Sequence, residues 1–136
     1  MAKSWQQKFD TKRKPEIVTF HKAYAGIPAG EKFLISTPQA IDQYLAAIPA
    51  GKSVDFQTMK KDLALDQGVQ YICPLTTGIF TRIVAELAFE KFSQGATIQS
   101  VTPFWRLIHP GMPLAKKLSF GPTFIENQRR AEGIKD

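Results

Sequence analysis

The chain carries one cysteine, Cys73, in 136 residues, so no disulfide can close within it. A lone thiol suits a reducing compartment, and a cytoplasmic location is the expectation. There are two histidines, His21 and His109, and neither has Cys, Asp or Glu at ligand spacing. No metal site and no cofactor are therefore expected. No apolar run approaches the ~20 residues of a membrane span, which argues against a membrane partner. The stretch from Met1 to Lys14 is polar and basic with no apolar segment, unlike a secretory signal. A glycine-rich phosphate loop, a nucleophile elbow and paired carboxylates in a plausible cleft are all missing. Acidic residues are scarce as well, 12 against 18 Lys and Arg, and the net charge is +6.

What is present reads as one soluble globular domain, with 43% hydrophobic and 22% charged residues. The charge is uneven: residues 1–22 carry net +4, residues 105–136 net +3, and the middle net −1. Basic ends suit a polyanion, because Lys and Arg replace condensed counterions on phosphate. A merely solvated basic surface is the competing reading.

Residues 1–36 read as a basic N-terminal arm and loop, flexible up to about residue 16. Within it, Ile17-Val18-Thr19-Phe20 and Phe33-Leu34-Ile35 are short strand candidates. A first helix follows Thr37 as N-cap and Pro38 at the first helical position, with Ile41, Tyr44, Leu45 and Ile48 on one face. A second runs from about Asp55 to Asp66 and stops at Gly68. Gly68 to Pro74 reads as loop. A third helix, about Thr76 to Phe92, has Ile79, Phe80, Ile83, Val84, Leu87 and Ala88 as an apolar stripe and Arg82–Glu86 as an outward pair. Beyond Pro103, Trp105–Ile108 and Leu114–Leu118 read as a small ribbon around the Pro110-Gly111 turn. A last helix opens at Thr123, with Glu126 at capping-box spacing. Three helices and a ribbon give a mainly α fold with a small β ribbon, a winged helix-turn-helix domain over 37–136.

Several segments in that order resemble the DNA-binding domain of the alkylguanine-DNA alkyltransferases. They are Pro49-Ala50-Gly51, Gly78 near the start of the third helix, Pro103-Phe104-Trp105-Arg106, and Gly121 followed at fixed spacing by Glu132-Gly133. The resemblance covers about Thr37 to Gly133. It implies a winged helix-turn-helix fold of the alkyltransferase type and a partner in DNA. In that family the four-residue motif is Pro-Cys-His-Arg, and the cysteine accepts the alkyl group from damaged guanine. Here Phe104 stands for the cysteine and Trp105 for the histidine, so the family's nucleophile is gone and no catalytic residue is assigned. The chain is similar in this to the non-reactive alkyltransferase-like branch, which binds damaged DNA without repairing it, and it departs further by losing the histidine. Phe56 takes the place of a tyrosine that works against the DNA backbone. Leu75 takes that of an arginine that fills the gap left by a flipped base, and Ala96 that of an asparagine.

The resemblance puts Phe56, Leu75, Gly78 and Arg106 in a candidate DNA-binding set, which Thr76 and Thr77 at the helix start and His109, Lys116 and Lys117 around the ribbon complete. It implies a pocket of Pro103, Phe104, Trp105 and Glu132, in which Glu132 can only accept from an indole N–H. Each residue also has a plainer reading. Phe104 and Trp105 either form a stacking platform for an extrahelical base or pack the core; one buried and one pocket-lining ring is the expectation. Arg106 binds phosphate or pairs with Glu132. Thr76 and Thr77 touch DNA or cap the helix. Cys73 is a packing residue or, at a helix N-terminus, a thiol of depressed pKa in an alkyltransferase-like enzyme. A protein-interaction or regulatory domain that kept the fold and lost DNA is the alternative function, and the near-neutral third helix, with Glu86 and Glu90 offsetting Arg82 and Lys91, favours it.

Overall fold

The computed structural model describes residues 3–135. Two layers share one chain: a helical body and, against it, a three-stranded sheet. The helical body follows from local signals. Helix α2 (Pro38–Ala46) begins where the Thr37 hydroxyl accepts from the Ala40 amide at 3.2 Å, with Pro38 in the first turn where its missing N–H costs nothing. Helix α3 (Phe56–Asp66) begins where Asp55 accepts from the Thr58 amide at 2.7 Å. Helix α4 (Pro74–Ser93) is the longest element, and α5 (Pro113–Lys117) and α6 (Thr123–Ala131) follow it. Ile41, Leu45, Met59, Val84, Phe104, Trp105, Ile108 and Ile125 fill the main core between them.

Residues 3–36 are not a loose arm. Ser4 and Gln7 close a capping box on α1 (Trp5–Phe9), which packs against α4 through Phe9 and through Trp5, whose ring lies 5.4 Å from the Arg82 guanidinium. The Gln39 amide holds the end of that helix through the carbonyls of Phe9 and Thr11 at 2.5 and 3.2 Å. Strand β1 (Glu16–Thr19) runs antiparallel to β2 (Lys32–Ile35), so both short strands expected from sequence form. The segment 68–74, read as loop, contains β3 (Tyr71–Ile72), which pairs in parallel with β2. The sheet order β1-β2-β3 therefore ties the two N-terminal strands to the entrance of α4. Ile27, Phe33 and Cys73 form a second small core beneath this sheet.

The ribbon expected after Pro103 does not form. Phe104–Arg106 is a 3-10 turn, and the second half of the supposed ribbon is α5, opened by Pro113. Burial outweighs β propensity here. Phe104 stacks on Phe124 with ring centres 5.8 Å apart and meets Phe120 at 5.6 Å, and Phe89 stacks on Phe120 at 4.0 Å. This aromatic cluster needs both rings of Phe104 and Trp105 inward, which alternating strand geometry forbids. The fold is about half helical with a small sheet, and that sheet is N-terminal rather than a wing after the third helix. At α6 the N-cap position is Pro122, with no side-chain cap bond, so the Thr123–Glu126 capping box is also not formed.

Candidate functional site

Two neighbouring regions contain most of the residues singled out from sequence. The first is a closed polar knot. Glu132, just past α6, accepts from the Trp105 indole N–H at 2.8 Å, from Arg106 Nε and Nη2 at 2.9 Å each, and from the Gly51 amide at 3.1 Å. Arg106 Nη1 donates to the Ile48 carbonyl at 2.7 Å, and Arg129 Nη1 donates to the Trp105 carbonyl at 2.8 Å. The Val54 amide donates to the Arg106 carbonyl at 2.9 Å. Burial pushes the Glu132 carboxyl up, but the Arg106 guanidinium, the Gly51 amide and the indole outweigh it and bring it down to about 2. Both Glu132 oxygens and all three guanidinium nitrogens of Arg106 thus have partners.

The knot corrects three expectations. Arg106 is committed to Glu132 and Ile48, not presented to phosphate. Phe104 and Trp105 are 0% and 2% exposed, so neither lines an open aromatic pocket and no stacking platform exists. Pro103 is buried with them, and a polar depression touches Pro103, Trp105 and Arg106 from outside. Glu132 does accept from the indole.

The second region is an open groove of about 580 Å³. Leu75, Gly78, Ile79 and Arg82 from the first turns of α4 form one wall; Met112, Pro113, Leu114 and Lys117 around α5 form the other, and Phe56 closes the end. Leu75 and Ile79 are 59% and 57% exposed, which takes Ile79 out of the core stripe and onto the surface. The only charged side chains in the lining are Arg82 and Lys117. Phe56 also borders an adjoining depression that holds His109 and Gly111, and Lys60 Nζ lies 5.4 Å from the Phe56 ring. On the other flank, Pro74 is shared with a smaller depression lined by Lys60 and Lys61. The three depressions share lining residues, and among the residues that line them Asp55 is the one carboxylate, held by the α3 cap.

Gly78 has a consequence for this face. A Cβ built there meets nothing within 4 Å, and its backbone is ordinary helix. Neither packing nor conformation within the fold asks for glycine, although glycine inside a helix costs roughly 1 kcal/mol against alanine.

The remaining candidates separate. Thr77 is fully buried, its hydroxyl donating to the Cys73 carbonyl at 2.7 Å, and cannot reach a ligand. Thr76 is half-buried and leans on the same carbonyl at 3.4 Å. Lys116 is exposed at the end of α5 but lies outside the groove lining. His109 Nδ1 accepts from the Gly111 amide at 2.9 Å, shaping the turn. Glu86 forms the expected pair with Arg82, at 3.5 Å, but it is buried rather than outward, and it also accepts from the Ser119 amide at 2.8 Å and the Ser119 hydroxyl at 2.5 Å. Cys73 is 1% exposed and lies 3.4 Å from the Tyr24 hydroxyl. Burial raises its pKa, while the Thr76 hydroxyl and amide, Tyr24 and the Leu75 amide lower it further, for a net depression. Its sulfur is nonetheless enclosed by the small N-terminal core. Among the described residues, no group of three or more His, Cys, Asp or Glu is gathered to hold a metal ion, and no helix is long and apolar enough to cross a membrane.

Sequence reasoning missed Ile79, Arg82, Met112, Pro113 and Leu114 as groove residues. No local signal marked Ile79, since it stands four positions before the buried Ile83 as well as four after Leu75. No family model, no curated protein and no solved structure matches the chain.

Proposed function

We propose that the protein is a non-catalytic DNA-binding relative of the alkylguanine-DNA alkyltransferases, one that engages alkylated or distorted duplex through the α4 groove. The observation that carries this reading is Gly78. It costs helix stability, no neighbour within the fold requires it, and it sits between two exposed apolar side chains in a groove whose only charges are cationic. A glycine of this kind lets an external backbone come close. Lys117, Lys60 and Lys61 supply phosphate contacts, and the exposed Leu75 presses against bases as apolar wedges do. The Phe104 and Trp105 positions, which resemble the family's reactive pair, serve the core.

The test is a titration with labelled duplex, with and without an O-alkylated guanine, at low and high salt. Steeply salt-dependent binding that prefers the modified duplex supports the proposal. Binding without preference reduces it to a plain duplex-binding domain, and no binding at low salt overturns it.

The exposed apolar pair Leu75 and Ile79 gives a second reading, a protein-interaction domain using the same groove. Salt-insensitive capture of an apolar helical peptide, with no DNA binding, favours that reading. An enzyme working through Cys73 is not favoured, because the thiol is enclosed; alkyl uptake abolished by Cys73→Ser would reverse that judgement.

A further inference from the structure

The outer edge of the N-terminal sheet has features that the groove does not use. β1 is the last strand in the order β1-β2-β3 and has a neighbour on one side only. The backbone direction follows from the other side of the sheet. The Cys73 amide donates to the Leu34 carbonyl at 2.9 Å, so Leu34 points its backbone groups at β3. Its neighbours Phe33 and Ile35 then point at β1, where they face Val18 and Glu16. Phe20 follows the same alternation, its carbonyl accepting from the Gly30 amide at 2.9 Å. Ile17 and Thr19 therefore direct their N–H and C=O groups outward. No backbone bond outside the strand ladder reaches either residue among those described.

The chemistry around this edge selects an occupant. Ile17 is 44% exposed and Phe20 43%, so apolar surface lies beside the open backbone groups. Lys12, Arg13 and Lys14 immediately precede the strand, Lys22 follows it, and Lys32 stands across from Thr19; all are exposed. The strand's own carboxylate, Glu16, is engaged by Arg13 at 3.5 Å. A second copy adding antiparallel to β1 would bring Lys12–Lys14 of each chain against His21 and Lys22 of the other, setting like charges together at both ends.

We propose that β1 is a docking edge for an extended acidic segment of a partner protein, which adds as a fourth strand, pairs with the backbone of Ile17 and Thr19, covers Ile17, and meets the flanking cations with its carboxylates. The surface is separate from the α4 groove, and the proposal does not depend on DNA binding.

The experiment uses the full chain and fluorescence anisotropy of a labelled peptide of alternating valine and glutamate, compared with one of alternating valine and lysine. The acidic peptide is expected to bind saturably and the basic one not. Thr19→Pro removes an outward N–H and leaves the β1–β2 ladder intact, since proline is tolerated where the N–H faces away from the sheet. It should weaken the acidic peptide roughly three- to tenfold. The triple change Lys12→Glu, Arg13→Glu, Lys14→Glu, which touches no ladder bond, should abolish binding. Equal binding of the two peptides, no binding of the acidic one, or indifference to both variants would overturn the proposal. Concentration-dependent self-association lost on Thr19→Pro would also overturn it, assigning the edge to a second copy instead.

Discussion

The polar knot around Glu132 and the groove along α4 lie close together and are built on opposite principles. In the knot, one carboxylate receives four hydrogen bonds from three residues, and the aromatic rings beside it are sealed. In the groove, large apolar side chains stand in water and a glycine sits within a helix for no internal reason. A fully satisfied cluster serves the fold, because each member already has its partners. A surface that gives up stability without internal return is where an external partner is expected. The residues that most resembled a reactive centre thus hold the molecule together, and the adjacent helix face carries the functional reading.

The largest effect that would break this contrast is truncation of the sealed aromatics. Phe104→Ala should destabilise by about 4 kcal/mol in denaturant melts, since it empties a fully enclosed ring site. A cost below ~1 kcal/mol would mean that the site is not packed as described. Next comes the knot itself. Glu132→Gln should cost on the order of 3 kcal/mol, because it leaves Arg106 half-buried with an uncompensated charge. The pH dependence sharpens this. The Glu132 carboxyl is depressed from 4.5 to about 2 on folding, so its stabilisation is complete above its ordinary value and is lost as pH falls towards 2. Acid titration of stability should therefore flatten over that range in Glu132→Gln. An unchanged acid limb would remove Glu132 from the account.

On the groove side the expected effects on folding are small and those on binding larger. Lys117→Ala should leave the melting temperature unchanged and lower the salt slope of DNA binding by about 1. A small gain in stability is the most diagnostic. Gly78→Ala should stabilise the fold by roughly 0.5–1 kcal/mol, since the new methyl meets open space, while weakening duplex binding. Stabilisation with undiminished binding would show that the groove floor does not approach a partner.

The elements most legible in the sequence are those with a local cause. Thr37-Pro38 and Asp55 start α2 and α3 where side-chain capping puts them, and Gly68 follows the end of α3. Ser4 and Gln7 carried the same kind of signal for α1, in a segment whose polarity reads as disorder. What stayed hidden has a tertiary cause. Tyr71–Ile72 is a strand only because β2 lies alongside it. Trp105–Ile108 has strand composition, yet the demand of Phe120 and Phe124 for both neighbouring rings turns it into a 3-10 turn. Within the site, the bond from Trp105 to Glu132 was legible because an indole in the histidine position offers a single donor, its N–H. The exposure of Ile79 was not, because an apolar residue on a helix reads as core until the neighbouring elements are in place.

The measurement that tests the central claim most directly is duplex binding by the wild-type chain and by Gly78→Ala, side by side, at low and high salt. The account predicts steeply salt-dependent binding by the wild type and a weaker complex for the more stable variant. Absence of binding at low salt, or equal affinity of the two proteins, would contradict it.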